Sequence, residues 1–475
     1  MENQQPTSEA CQEPQVEQPE ENSNPDYMER QLATISTITE ILPIEGADRL
    51  VLARFSTHAY QCVVGKGEFN VGDKCVYYAI DSFLKPDPAY DSILSKNCTK
   101  TLHGQAGYRI KTITLRGQLS QGYVIPVPAD LKDLPEGTDV TKRLGVKKWV
   151  YPVGCKIGKV IGDFPPLIKK SDQTNVQSLD IYHLMRLFED TFEVTEKIDG
   201  TSCTVYCTPK VIGLNISSVD PWPEDVIHIG VCSRNLELAE PNSETKEFYQ
   251  PLKDGDEVQP GDVIHGGKLC RKIVKTNKLE STYWEVVSKC GLPEALRRWC
   301  SCHKRQIAIQ GEICGPGIQK NPLELSTLRF FIFDIYDIDN KCYLSAGERA
   351  QIIRELEELS PGGREFTIQA VPTIDPSYSF APTESELRAA LETAVRLTST
   401  ESDTSPAALW RRFCKDLYLA AVGKLLALAE GKVFTAAPDG TGKSREGIVL
   451  KSLESPNSSF KVVNNRMLLE ETDND

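Results

Sequence analysis

The feature that most constrains the fold is a run of short β-prone segments early in the chain. Between Arg30 and Cys155, segments rich in β-branched and aromatic residues alternate with turn residues. The segments are 50–55, 61–64, 74–80, 108–115 and 122–127, and Gly65, Gly67, Gly72 and Gly117 punctuate them. Five short strands in about 125 residues predict a small β-barrel at 30–160, because closure protects strand edges from water and from other chains.

The predicted barrel, for which the OB type is the obvious candidate, carries basic residues on its later strands. These are Arg109, Lys111, Arg116, Lys142, Arg143, Lys147 and Lys148. Residues two apart share one face of a strand, so Arg109 and Lys111 are expected side by side, interleaved with Tyr108 and Tyr123. Such a face fits a surface that follows an RNA strand, and it fits a solvated sheet face equally well.

A second region follows a predicted linker at 161–177, which contains Pro165-Pro166 and Lys169-Lys170. Further strands are expected around 191–196, 202–207, 226–232, 306–313, 329–336 and 447–451. Between Ser345 and Glu430 the apolar period changes from two residues to about 3.6, which predicts a helical insertion at 345–430. The chain is therefore expected to mix an all-β part with a larger α+β part.

The predicted insertion contains three helices with recognisable starts. Ser345 with Glu348 and Thr383 with Glu386 are capping-box pairs, and Ser405-Pro406 opens the third helix. Apolar residues at helical spacing are expected to pack in the core. They form one stripe at Ile352, Leu356 and Leu359, a second at Leu387, Leu391 and Val395, and a third at Leu409, Phe413, Leu417 and Leu425.

The amino-acid composition argues against a membrane-spanning or secreted protein. Residues 1–29 contain eight acidic residues and no Lys or Arg, which predicts a disordered acidic tail and accounts for much of the net charge of -13. No apolar run is long enough to span a membrane, and the first residues lack the pattern of a secretory signal. The 15 cysteines show no repeating spacing, which favours unpaired thiols and an intracellular location, cytoplasmic or nuclear.

The segment with the clearest chemistry runs from Glu196 to Ser202, with the sequence EKIDGTS. Lys197 ends an apolar strand directly before a glycine-containing turn and a second strand. A lysine at such a place is costly for packing, because burial of an ammonium is unfavourable. A neutral amine is a good nucleophile toward phosphorus, provided that desolvation or nearby cations lower its pKa.

The four residues from Lys197 to Gly200 match the KxDG motif of the covalent nucleotidyltransferases, which comprise ATP-dependent DNA ligases, RNA ligases and mRNA capping enzymes. Further elements follow in the order of that superfamily. Ser233-Arg234-Asn235 resembles the SRN segment of RNA ligases, and 310–313, 331–336, 445–451 and 459–464 resemble motifs III, IIIa, IV and V. The order of six elements, and not any one of them, makes the resemblance specific.

The position of the barrel separates RNA ligases from their relatives. DNA ligases and capping enzymes carry an OB domain after motif V, whereas here 14 residues follow Lys461 (475 − 461). The segment from Lys111 to Gly122 is similar to one in RNA ligases with an N-terminal OB module. The resemblance implies an α+β chain in which an OB-type barrel precedes an adenylyltransferase domain of antiparallel sheets and helices at 161–475.

The same resemblance implies roles in nucleotide binding. Lys197 attacks the α-phosphorus of ATP, Arg234 grips phosphate or ribose, Glu312 holds the ribose hydroxyls and Phe333 stacks on adenine. Glu196 and Ser202, which flank the KxDG motif, are placed with the nucleotide-binding residues.

A divalent metal, Mn²⁺ or Mg²⁺, is also implied. Glu446, with Asp199 in support, is expected to position the ion through its waters. The ion and Lys461 offset negative charge on the α-phosphate and lower the pKa of Lys197. Ser459 departs from the family pattern, because related motif V segments often carry a lysine there, and Lys451 is a candidate to assist.

The leading hypothesis is an RNA ligase that joins an RNA 3′-OH to an RNA 5′-phosphate. The first alternative is a ligase of nicked DNA or hybrids, or an RNA guanylyltransferase, against which the short segment after motif V argues. The second alternative is a non-catalytic RNA-binding protein, against which Lys197, Glu312 and Glu446 argue together. No membrane partner is expected.

Overall fold

The computed structural model describes residues 31–472 apart from 89, 95–97, 103, 150–155, 211–220, 242, 252–262, 266–267, 279, 401–403 and 440. The predicted acidic tail at 1–29 lies outside the described residues. No described helix has the length and apolar character needed to cross a membrane.

The first eleven strands, with one short helix, form the barrel region. They are β1 Ala33–Pro43, β2 Leu50–Phe55, β3 Gln61–Gly65, β4 Lys74–Tyr78, β5 Ser82–Leu84, α1 Asp91–Leu94, β6 Thr99–Leu102, β7 Gln105–Arg109, β8 Thr112–Leu115, β9 Gln118–Gln121, β10 Tyr123–Pro126 and β11 Lys147–Lys148. One sheet has the order β10-β4-β1-β2-β3, another β11-β5-β7-β6, and β8 pairs with β9. Two apolar clusters fill this region, one around Ile35, Val76 and Tyr108 and one around Phe55, Tyr60 and Tyr77.

Four of the five predicted barrel strands lie where the sequence placed them, and the fifth is divided. The predicted strand at 108–115 breaks at Ile110–Lys111, where the backbone N–H of Ile110 bonds to Ser82 instead of continuing the ladder. Arg109 and Lys111 therefore do not share the face of one strand, which corrects the prediction. Arg109 is buried, pairs with Asp81 at 3.0 Å and lies over the Trp149 ring.

Among the described residues, sixteen strands and seven helices form the larger region. They are β12 Val160–Asp163, β13 Thr174–Asn175, α2 Ile181–Arg186, β14 Phe192–Lys197, β15 Thr201–Pro209, β16 Ile227–Cys232, β17 Leu236–Leu238, β18 Ser243–Pro251, β19 Val263–His265, β20 Lys268–Lys278, α3 Thr282–Lys289, α4 Leu292–His303, β21 Ile307–Cys314, β22 Arg329–Asp337, β23 Cys342–Tyr343, α5 Ala346–Leu359, β24 Gln369–Ala370, β25 Thr373–Tyr378, α6 Glu384–Thr400, α7 Pro406–Ala429, β26 Gly447–Ser452, β27 Ser459–Val463 and α8 Asn465–Thr472.

Two sheets carry the predicted motifs. The larger has the order β12-β17-β16-β15-β21-β22-β23, with β24 beside β22, and the smaller has the order β13-β27-β26-β14-β25. Helices α3, α4 and α5 pack on the larger sheet, whereas α2 and α7 pack on the smaller one. Most strand pairs are antiparallel, and the α+β class predicted from sequence is confirmed.

The predicted linker at 161–177 is an integral part of the larger region. Its first residues lie in β12, which pairs with β17 so that Asp163 faces Leu236. Its last residues form β13, parallel to β27. The two prolines suggested a linker because they disfavour regular structure, but they occupy the short stretch between two edge strands.

The helical insertion has the predicted helix starts and two differences. The short strand β25 interrupts it and pairs with β14. On α6 the buried face consists of Ala390, Ala394 and Thr398, whereas the predicted stripe of Leu387, Leu391 and Val395 is exposed by 37%, 48% and 51%. The core prediction for this stripe was wrong, because small residues let α6 lie close to α7 and no described element covers its apolar side.

The cysteine prediction also needs a correction. Cys207 on β15 and Cys300 on α4 form a disulfide, 93 residues apart in sequence. Eleven other described cysteines are free. Local spacing cannot reveal such a pair, because the sheet and the helix that packs on it bring the two residues together.

Candidate nucleotidyl-transfer site

Strand pairing brings Lys197 to Glu446. Lys197 ends β14 and lies opposite Gly447, the first residue of β26, so Glu446 directly precedes the strand at the same level. The Lys197 Nζ lies 2.5 Å from Glu446 Oε1. A Cβ at Gly447 would lie 2.1 Å from the Val462 carbonyl oxygen, so only glycine lets β26 start this close to β27.

Glu312 reaches the same place from the larger sheet. It lies on β21 opposite Ser202 of β15, directly after the turn that contains Asp199 and Gly200. A Cβ at Gly200 would lie 2.4 Å from the Ile313 carbonyl oxygen, so the glycine of the KxDG motif permits the close packing of this turn on β21. Three carboxylates, those of Asp199, Glu312 and Glu446, therefore act on the Lys197 ammonium.

The protein groups alone act against the predicted lowering of the Lys197 pKa. Burial lowers it, but the charges of Glu446, Glu312 and Asp199 together outweigh burial and raise it. Burial is also the main reason that the pKa of Glu312 rises to about 8, partly offset by Lys197. A neutral amine at this position requires a further cation beside these carboxylates.

The carboxylates suit a cation held through water. Glu446 Oε2 is buried and has no hydrogen-bond partner in the described structure, so one coordinating oxygen remains available. Within the described residues, no three His, Cys, Asp or Glu side chains lie close enough to ligate a metal directly. The available Glu446 oxygen is compatible with the expected hydrated divalent ion near Glu446 and Asp199, which stays a prediction.

The other nucleotide-binding candidates line the same cleft, whose volume is about 1480 Å³. Phe333 is partly exposed there, whereas Phe331 is buried. Glu196 is buried, and its carboxylate accepts the Phe434 N–H at 3.3 Å. Burial raises the Glu196 pKa to about 7.

Lys451 is buried and bonded to other protein groups, so its ammonium does not replace the lysine that motif V lacks at Ser459. Its Nζ donates to Asp334 Oδ1 at 2.8 Å and to the Phe333 carbonyl oxygen. Arg349 of α5 bonds to Glu193 of β14 and lies 3.8 Å from Asp334. This buried network joins the helical insertion to the strands that carry Lys197, Phe333 and Glu446, which gives α5 a positioning role.

We expect Lys451→Met to lower the free energy of unfolding by about 3–5 kcal/mol, because Asp334 would lose a partner inside the protein. Urea denaturation followed by tryptophan fluorescence measures the change. Lys432→Met is the matched control, since Lys432 is an exposed lysine that bonds to the Gly442 carbonyl oxygen. A difference between the two variants below about 1 kcal/mol, the range of surface pairs, would show that the network does not stabilise the sheets.

The barrel forms one side of the cleft. Its residues Lys111, Lys142, Lys147 and Lys148 line the same cleft as Lys170, Arg234 and Lys461. Tyr60 bonds to Ser178 at 3.1 Å, Gln121 accepts from Gln177 at 3.1 Å, and Lys415 donates to Thr39 at 2.6 Å. Arg116 lies outside the residues that line the cleft.

Comparison with known proteins agrees with this geometry. A model of the RNA ligase family matches residues 190–463, which contain Lys197, Glu312, Glu446 and Lys461. The chain belongs to the RNA ligase family. A model of an OB-fold domain matches residues 32–127, which confirms the predicted type of the barrel in this RNA ligase. No curated protein matches the sequence.

Solved structures similar to this RNA ligase come from Naegleria gruberi. A variant of that RNA ligase with ATP and Mn is 31% identical, with a TM-score of 0.64, and the match covers 92% of this chain and 98% of that one. The same enzyme with pyrophosphate is 30% identical over 94% of this chain and 100% of that one, with a TM-score of 0.65. A variant with AMP and Mn is 31% identical over 92% and 98%, with a TM-score of 0.64.

Sequence reasoning missed one group of residues at the site. Lys170 and Asp172 were assigned to a linker, and Lys148 was seen only as part of a basic barrel set. All three lie in the cleft beside Arg234 and Lys461. The adjacent lysines at 169–170 were the available signal, but nothing in the local sequence connects them to residues more than 60 positions away.

Proposed function

We propose that this RNA ligase uses ATP and a divalent metal to join an RNA 3′-OH to an RNA 5′-phosphate. The observation that carries the proposal is the contact of Lys197 with Glu446, beside Glu312, in a cleft that the OB barrel borders. A lysine among three carboxylates suits an amine that becomes reactive when a divalent cation enters with the phosphate-bearing substrate.

The first step is nucleotidyl transfer to Lys197. The neutral Nζ bonds to the α-phosphorus of ATP, the bond from that phosphorus to the bridging oxygen breaks, and pyrophosphate leaves. Phe333 is positioned to stack on adenine and Glu312 to bind the ribose hydroxyls. A divalent ion bound through water near Glu446 and Asp199 would supply positive charge that favours the neutral amine.

Two further transfers complete ligation. The RNA 5′-phosphate oxygen displaces Lys197 from the AMP phosphorus, and the 3′-OH oxygen then attacks the RNA phosphorus and releases AMP. Both steps need an RNA end close to Lys197. The OB barrel suits this task, because it closes one side of the cleft and presents lysines toward it.

The experiment that tests the function uses the full chain with α-labelled ATP or GTP and Mn²⁺ or Mg²⁺, followed by denaturing electrophoresis. Label from ATP on the protein, and sealing of nicked or single-stranded RNA ends, support the proposal. Label from GTP would indicate a capping-type enzyme, and sealing of nicked DNA alone would indicate a DNA ligase. No label would indicate an RNA-binding protein.

We expect the triple variant Lys111→Ala, Lys142→Ala, Lys147→Ala to adenylylate normally but to seal RNA poorly. These lysines line the cleft and belong to the barrel, not to the motifs that contain Lys197, Glu312 and Glu446. Loss of about three phosphate contacts should reduce the salt dependence of RNA binding by a slope of about 3. Label transfer and RNA affinity across a salt series measure the two effects. The control is Arg116→Ala, because Arg116 is not among the residues that line the cleft. Equal sealing by the triple variant and the control would show that the three barrel lysines do not bind RNA.

A further inference from the structure

One carboxylate lies among the cations of the cleft. Asp172 forms an ion pair with Arg234, and the charges of Lys148, Lys461 and Lys170 also act on it. Lys148 comes from the barrel, Lys170 from the stretch between β12 and β13, Arg234 from the SRN turn and Lys461 from motif V. Burial raises the Asp172 pKa, but the four cations outweigh burial and lower it, so the group is an anion at neutral pH.

The backbone fixes this arrangement. Two residues after Asp172, β13 runs parallel to β27, and Asn175 lies opposite Lys461. On the other side, the Phe164 N–H bonds to the Asn235 carbonyl oxygen at 2.8 Å, and Lys170 donates to the Asn235 side chain at 3.0 Å. The segment 164–175 therefore ties the SRN turn to motif V, and Asp172 lies between their cations.

Arg234 lies near two acidic side chains. It pairs with Asp172, and its positive charge also acts on Glu312, the residue assigned to the ribose. Arg234 thus lies between the nucleotide end of the cleft and the Asp172 group. A triphosphate whose ribose is held at Glu312 would extend toward this group, because the cations gathered there are the ones that can neutralise its outer phosphates.

We propose that the Asp172 carboxylate takes the place of a phosphate group in the free enzyme and competes with the outer phosphates of ATP, and with pyrophosphate, for Arg234 and its neighbouring lysines. The inference rests on the proposed function, since it assumes that a nucleoside triphosphate binds at Lys197 and Glu312. ATP must displace Asp172 from Arg234 on binding. Asp172 returns to Arg234 when pyrophosphate leaves, so it lowers the affinity of the enzyme for its first product.

Competition between Asp172 and pyrophosphate would favour the forward reaction. Nucleotidyl transfer to a lysine is reversible as long as pyrophosphate stays bound, because pyrophosphate can attack the lysyl-AMP phosphorus. A protein carboxylate that replaces it on the cations favours its departure. No new bond forms in this exchange, which consists of one ion pair replacing another.

The test is Asp172→Asn, which keeps the size of the side chain and removes its charge. Isothermal titration with inorganic pyrophosphate should show about two- to fivefold tighter binding, the range for a partly exposed ion pair. The KM for ATP in label transfer should fall by a similar factor, and pyrophosphate should inhibit more strongly. Asp172→Glu should restore values close to those of the unaltered enzyme.

Glu384→Gln is the control, because it removes the carboxylate of an exposed pair with Arg388 on α6, remote in sequence from every motif. Weaker pyrophosphate binding by Asp172→Asn would mean that Asp172 orients Arg234 for the phosphates, and would overturn the proposal, as would unchanged binding. The titration needs no ligase activity. Absence of label transfer by the unaltered enzyme would therefore refute the proposed function separately.

Discussion

The Lys197→Ala protein should take no label from α-labelled ATP, whereas the unaltered protein forms a covalent adduct that survives denaturation. The reason is structural: Lys197 Nζ is the amine that strand pairing places against Glu446 and within reach of the charges of Glu312 and Asp199. In the proposed mechanism the Lys197 Nζ forms the phosphoramidate, so its loss should remove the reaction path, and raising the pH should not restore it.

Two controls separate loss of the nucleophile from loss of the fold. Lys197→Arg keeps a cation beside Glu446 but cannot supply a neutral amine near pH 7, so it should fold and also take no label. Lys66→Ala removes an exposed lysine from a turn of the barrel and should be labelled normally. Covalent label on Lys197→Ala, mapped by peptide analysis to another lysine, would show that the nucleophile lies elsewhere.

Glu446→Gln should slow adenylylation by about 10²–10³ at its best pH, the usual effect of losing one preorganised electrostatic contact. Among the carboxylates, Glu446 contributes most to the raised pKa of Lys197. Removal of its charge should therefore lower the Lys197 pKa as well as the rate. Attack requires the neutral amine, and the rate therefore rises with pH as Lys197 loses its proton. In the variant this rise should occur at lower pH, although the plateau is lower.

Single-turnover label transfer across a pH series, at fixed Mn²⁺ and ATP, measures both effects. Glu392→Gln, an exposed glutamate on α6, should leave the profile unchanged. A plateau equal to that of the unaltered enzyme would exclude Glu446 from the reaction centre. A reduced plateau with no shift of the rising limb would mean that its charge does not control the proton of Lys197 when substrate and metal are bound.

The family and the α+β class followed from sequence because covalent nucleotidyl transfer needs several residue types in a fixed order. Lys197 ends strand β14, Glu312 lies within β21 and Glu446 directly precedes β26, and the composition of each strand predicts it. Gly200 and Gly447 lie where close packing of the strands leaves no room for a Cβ. Local strand propensity and motif order are properties of short segments, so they could be identified without coordinates.

Whether a side chain is buried or exposed depends on residues that are distant in sequence, so only the tertiary structure could decide it. Arg109 was expected on an exposed face but is buried with Asp81, and Leu387, Leu391 and Val395 were expected in the core but face outward on α6. A helical or alternating pattern states only which residues share a face, and the neighbouring elements determine whether that face is covered.

The sequence by itself determined the family, through the order of the motifs from Lys197 to Asn464, and the OB-type barrel that precedes them. Only the tertiary structure placed Lys451 in a buried network, paired Cys207 with Cys300 and brought Asp172 among Arg234, Lys148 and Lys461. These contacts join segments that lie far apart along the chain. Their energies depend on distance and burial in space, which no local sequence pattern specifies.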